Sequence, residues 1–165
     1  MIFATVGTHE DPFNRLLEAL DRLKEQQIIQ EDVRIQSGYS TYIPRFCQAE
    51  KMLAFDLVQA WMAEARIIIT HGGPATIMQA LSHGKIPIVV PRQPAFKEHV
   101  DGHQVAFARR LRDRVLVVED IAELGPLLQN YEAHIARLPS PEPPRARAER
   151  FAERLDLLCQ GLIKE

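Results

Sequence analysis

The chain has 165 residues, the length of one domain, and can bury a core of its own without a disulfide or a metal. A formal net charge of −2, with 46% hydrophobic and 25% charged residues, describes an ordinary globular protein and gives no basic footprint for nucleic acid, so no nucleic-acid partner is expected. Cys47 and Cys159 lie far apart and fit no zinc-ribbon or redox pattern, which makes both packing residues in a reduced, cytoplasmic setting.

In chain order, Ile2 to Val6 reads as a strand, because the apolar run is short and no basic leader precedes it. A helix follows from about Pro12 to Gln26, its period carried by Phe13, Leu16, Leu17, Leu20 and Leu23, with Asp11 placed to cap it. Val33 to Gln36 is the next strand, then a helix around Leu57 to Glu64, a strand from Ile67 to Thr70 and a helix from Pro74 to Ser82. Ile86 to Val90, a helix from about His103 to Leu111, Val115 to Val118 and a helix from Ile121 to Asn130 complete the alternation. Alternating strands and helices imply an α/β fold: a Rossmann-like parallel sheet with helices on both faces. No apolar run approaches the roughly 20 residues of a membrane span, so membrane association must come through a surface or a partner.

Residues 1–137 thus form one Rossmann-like domain. The segment 138–145, "LPSPEPPR", holds four prolines and cannot continue a helix, so it is a linker or a surface wrap. In 146–165, Phe151, Leu155, Leu158 and Leu162 recur at helical spacing and predict a terminal amphipathic helix that packs on this domain or on a partner. The arginines of that region alternate with acids, which suits a solvated face better than a membrane-facing strip.

The stretch "THGGPAT", residues 70–76, stands where a strand of a parallel sheet hands over to a helix, the place where ligands collect. Gly72 and Gly73 permit close approach of the main chain, Pro74 fits the first helical turn, and the free N–H groups there favour an anion such as phosphate. A tight turn with no ligand is the plain alternative. One helix later the strand "KIPIVVPR" ends in "QPAFKEHVDGHQ", which gathers Glu98, His99, Asp101, His103 and Gln104. Two such neighbouring strand ends suit a ligand made of phosphates and a sugar.

Four segments in this order, "VGTHEDPFNRLL", "SGYSTYIP", "ITHGGPATIMQAL" and "VVPRQPAFKEHVDGHQ", make residues 1–130 resemble the C-terminal, donor-binding half of family 28 glycosyltransferases, the C-terminal half of the GT-B fold. The likeness extends to small separate subunits of two-component enzymes: those of bacterial capsule and exopolysaccharide synthesis, and the catalytic subunit of the dolichol-pathway N-acetylglucosaminyltransferase. The resemblance implies a bound UDP-sugar. It puts Gly72, Gly73 and Thr76 at the diphosphate with His71 beside them, Gln79 at the ribose and Phe55 against the uracil. Asp101, His103 and Gln104 then hold the sugar and diphosphate, and Gly7 and Thr8 line the cleft toward the acceptor. Relatives often carry a carboxylate where Gln79 stands, and an amide binds the ribose more weakly.

Each of these residues has a plainer role: His71 as a turn histidine, Phe55 as core, His83 and His134 as surface residues. His99 and His103 have the spacing of a zinc pair, but Gly102 spoils the helix that spacing needs and no third ligand is evident, so no metal is expected. No Asp-x-Asp motif of the metal-dependent transferases is present. Backbone amides, a helix dipole and His71 would neutralise the departing UDP, which fits inverting transfer without a metal or other cofactor. His9 and Glu10, in the loop beyond Thr8, are the candidate bases. The acceptor-binding half is expected on another, membrane-anchored polypeptide that recruits this subunit to the inner face of the membrane. The expected function is therefore hexose transfer from UDP-sugar to a polyprenyl-diphosphate-linked acceptor in surface polysaccharide biosynthesis. The alternatives are a non-catalytic enhancer or stabilising subunit, and a nucleotide-sugar epimerase, which would need a second domain in the same chain.

Overall fold

A computed structural model describes residues 1–139. Among the described residues six strands form one sheet: β1 (Ile2–Thr5), β2 (Val33–Gln36), β3 (Gln48–Glu50), β4 (Ile67–Thr70), β5 (Ile88–Val89) and β6 (Leu116–Val117). Every pairing is parallel and the order is β3-β2-β1-β4-β5-β6. The helices are α1 (Asn14–Glu25), α2 (Phe55–Glu64), α3 (Pro74–Ser82), α4 (His103–Arg110), α5 (Leu124–Gln129) and α6 (Tyr131–Ile135).

The central strands β1, β4 and β5 are buried on both faces, and their alternation decides which helix each residue meets. Ile2, Ala4 and Val6 join Ile67, Ile69 and Ile88 in a core with Leu16, Leu17 and Leu20 of α1 and Leu124 and Leu128 of α5. Phe3 and Ile68 point the other way, onto Met62 of α2 and Ala80 of α3. On that second face Val89 meets Ile77 and Leu81 of α3 and Ala108 of α4. Register aligns Thr5 with both Gln36 and Thr70, so three strands end on one line and their loops rise side by side.

Three local expectations need correction, and one strand, β3, is not among those expected. β3 has no apolar signal: its three residues are exposed, and it exists because the main chain of 48–50 pairs with the edge of β2. The helix expected from Ile121 to Asn130 begins as a 3-10 turn at Ile121–Glu123, and the chain then turns again into α6, whose Tyr131 is buried and donates its hydroxyl to the carbonyl of Ile86. Asp11 does not cap α1. Phe13 occupies the cap position without a side-chain bond, its N–H donates to Ser40 Oγ, and the Asp11 carbonyl accepts from Arg92. His83 is half-buried and bonded to Gln59 Oε1 at 2.9 Å, not free at the surface.

Asp21, buried on α1, fixes the long connection from β2 to β3. It accepts the Tyr42 hydroxyl and the N–H groups of Arg45, Phe46 and Cys47. Burial pushes its pKa upward, but those bonds outweigh it and hold the carboxyl below its ordinary value. The nearby Cys47 thiol is pushed up to about 12, first by burial, and is a packing residue as expected. Most of the proline-rich segment, the stripe from Phe151 to Leu162, and Cys159 lie outside the described residues. Among the described residues no helix is long and apolar enough to cross a membrane.

Candidate functional site

β1 and β4 lie side by side, yet β1 leads to α1 on one face while β4 leads to α3 on the other. Chains that diverge in this way open a crevice above the strand ends, where ligands of doubly wound sheets bind. A cleft of about 400 Å³ lies there. It brings together Gly7 and Thr8 from the loop after β1, Phe55 at the start of α2, and His71, Gly73, Thr76 and Gln79 from the turn and first part of α3. Seven of the residues singled out by sequence therefore share one cavity. Thr5 and Gln36 form its floor, Thr5 donating to Gln36 Oε1 at 3.0 Å and accepting the Gly7 N–H at 3.2 Å.

The glycines on either side of His71 have a definite reason. A Cβ on Gly7 would lie 2.5 Å from His71 Cε1, and one on Gly73 would lie 2.2 Å from Nε2. The imidazole thus fills the space two side chains would need, and Gly7 also sits at φ +74°. The buried His71 pKa falls to about 4, first through burial and then through the Arg92 charge. It is neutral near pH 7 and can give the cleft a hydrogen bond but not the positive charge expected of it. Anion attraction rests instead on the first turn of α3. Pro74 begins that helix, Gly73 to Thr76 line the cleft, and the first-turn N–H groups have no helical acceptor.

Phe55 is 65% exposed, so it is no core residue, and it lines the cleft. Gly72 is buried and lies outside this lining: its N–H donates to Gln104 Oε1 at 3.0 Å, and its Cα packs on the Gln104 side chain. Gln104 also accepts the Arg92 N–H at 3.2 Å, so its carbonyl ties the loops after β4 and β5 together. Asp101 and His103 likewise stand outside the cleft lining, on the neighbouring loop.

Beneath the site, Arg92 and the buried role of Glu98 escaped the sequence reading. Arg92, fully buried, donates to the carbonyls of Val6, Asp11 and Glu98 and so joins the loop after β1 to the loop after β5. Glu98 accepts both Arg15 Nε and Arg15 Nη2 at 2.9 Å and the Gln93 N–H at 3.0 Å. The available signal was a charged residue directly after an apolar strand, which in a buried position needs several partners.

His9, His99 and His103 form a row over the same loops, with ring centroids 4.4 Å and 4.5 Å apart. His103 Nδ1 bonds Asp101 Oδ1, and His99 Nδ1 lies 3.5 Å from that oxygen. The His99 pKa is lowered, first by burial and then by His9 and His103, and the Asp101 carboxyl is lowered by its bonds from His103. His9 Nδ1 accepts the Asp11 N–H at 3.2 Å and stands 3.6 Å from the Asp11 carboxylate.

The family model of the glycosyltransferase family 28 C-terminal domain matches residues 1–155. Among solved structures, the spinosyn forosaminyltransferase SpnP superposes with a TM-score of 0.54 at 18% identity, over 91% of this chain and 43% of its own. The glycotransferase of kitacinnamycin gives 0.53 at 17% identity, over 92% and 37%. The glycosyltransferase VinC, solved with dTDP, gives 0.50 at 21% identity, over 82% and 34%. The chain therefore spans about two fifths of the length of the structures it resembles, and at these identities the likeness is one of fold. No curated protein sequence matches it.

Proposed function

The chain belongs to the glycosyltransferase family 28 C-terminal domain family, and on that premise we propose that it is the catalytic, UDP-sugar-binding subunit of a two-component glycosyltransferase. It transfers a hexose to a polyprenyl-diphosphate-linked acceptor in the assembly of a surface polysaccharide. The observation that supports this best is the cleft between β1 and β4, whose lining includes both the Phe55 ring and the first turn of α3. Uracil lies against Phe55, the ribose reaches Gln79, and the diphosphate takes the free N–H groups of the first turn of α3. The sugar then points along the loop 101–104.

In this reading His9 removes the proton from the acceptor hydroxyl as that oxygen attacks the anomeric carbon from the side opposite the diphosphate. The anomeric C–O bond breaks, UDP leaves with the electron pair, and the configuration inverts. The helix amides meet the charge that develops on the diphosphate, so transfer needs no metal. A membrane-anchored partner supplies the acceptor side and holds this subunit at the inner face of the membrane. A second reading, a non-catalytic enhancer, is favoured by one observation: the cleft presents the Gln79 amide where a carboxylate would bind ribose better.

Calorimetry with EDTA present tests the donor reading. UDP should bind more tightly than ADP, GDP or dTDP. Equal affinities, or binding only after a metal is added, would count decisively against it. Turnover on reconstitution with the partner then separates catalyst from enhancer.

A further inference from the structure

His99, Asp101 and His103 follow one another at every second position of a loop. Sequence spacing alone dismisses His99 and His103 as a zinc pair, because Gly102 interrupts the helix that would align them. The fold aligns them by another route. The chain turns at Gly102, α4 starts at His103, and the Asp101 carboxylate accepts the His103 N–H at 3.1 Å, which holds the acid against the first turn. One ligand atom from each of the three side chains can be chosen so that all lie within 4.8 Å of one another. His99 is held firmly, its side chain only 8% exposed and its ring packed between those of His9 and His103.

We propose that His99, Asp101 and His103 form a binding site for a divalent first-row transition-metal ion of the zinc class. Two imidazoles and one carboxylate are the donor set such ions prefer over magnesium or calcium, which seek oxygen alone. Bond lengths of about 2.0–2.2 Å place the donors of a tetrahedral ion roughly 3.3 Å apart. Closing the present spacing to that exchanges the His103–Asp101 side-chain bond for bonds to the ion, and both side chains are exposed. Three protein donors leave one position of a tetrahedral ion open to water. Ion binding here does not depend on the nucleotide reading and is measured without nucleotide.

The test uses the untagged full-length chain, titrated with Zn2+ by calorimetry and with Co2+ by visible absorption. The wild type should take up one equivalent of Zn2+, and Co2+ should give the intense visible bands of a low-symmetry, four-coordinate ion without thiolate charge transfer. Asp101→Asn and His103→Gln should each weaken Zn2+ binding on the order of tenfold or more, the range seen when the ligand environment of a metal is disturbed. His83→Gln and His134→Gln, away from the loop, should bind as the wild type does. The proposal is overturned if the wild type takes up no Zn2+, or if the Asp101 and His103 variants bind as tightly as the wild type does. Because both side chains are exposed, unchanged melting of these variants will show that any loss is one of ligands and not of fold.

Discussion

His71 shows how far a single residue can be read before its surroundings are known. The motif that contains it, two glycines and a proline after a buried strand, points to the cleft from sequence alone. Its charge does not, because that depends on burial and on Arg92, a residue twenty-one positions further along whose guanidinium the fold brings close. The folded-state pKa of about 4 lies below the ordinary 6.5. Between those values the unfolded chain binds a proton that the folded chain refuses, so stability falls as the pH drops through that window. At about pH 4.5 the loss from this group alone should be about 2–3 kcal/mol relative to neutral pH. Urea unfolding of the wild type and His71→Gln at both pH values measures it: the variant should lose less stability on acidification. Equal losses would assign the acid sensitivity to other groups. Gly72 carries a related lesson, since its sequence context suggests close approach of the main chain to a ligand but does not show which protein groups lie against it. Here the approaching group is Gln104.

At the scale of elements, the long helices and central strands were legible because their apolar residues repeat at 3.6 or run continuously through a buried strand. β3 was not, because an exposed edge strand of three residues is fixed by main-chain pairing with β2 and carries no side-chain pattern. The ties between elements were equally hidden, since each joins residues distant in sequence. Gln104 of α4 accepts buried N–H groups from Gly72 and Arg92, and thereby sets the turn before α3 against the end of β5. Gln104→Ala should cost at least about 2 kcal/mol of stability, because two buried donors lose their acceptor, and it should also weaken nucleotide binding by loosening the turn. Glu98→Ala should cost about 3–5 kcal/mol, since Arg15 would keep its charge with its buried carboxylate partner removed and the Gln93 N–H would lose its acceptor. Chemical denaturation distinguishes the two: a Gln104 variant as stable as the wild type would mean that its carbonyl merely rests near those amides, and a Glu98 variant of undiminished stability would mean that water replaces the ion pair.

At the scale of the whole molecule, strand-helix alternation implied the doubly wound sheet, and the strand order then dictates where a ligand can go. β1 and β4 are neighbours whose connections depart to opposite faces, so the cleft is a consequence of topology before any side chain is considered. Residues 7, 55, 71 and 79, far apart in sequence, meet there because the register of β1 with β2 and β4 brings their strand ends level. A ligand spanning these elements binds only the folded chain and must raise its stability. At a UDP concentration one hundred times the dissociation constant the gain is about 2.7 kcal/mol, or roughly 5–10 °C in melting temperature for a domain of this size. Phe55→Ala divides fold from function in that measurement. The ring is exposed, so its removal should leave the ligand-free melting temperature nearly unchanged. Stacking of a base on an aromatic face contributes about 1–3 kcal/mol, so the same UDP concentration should produce a much smaller shift in the variant. A variant that melts as the wild type does both with and without UDP would remove Phe55 from the nucleotide site and move the base to another wall of the cleft.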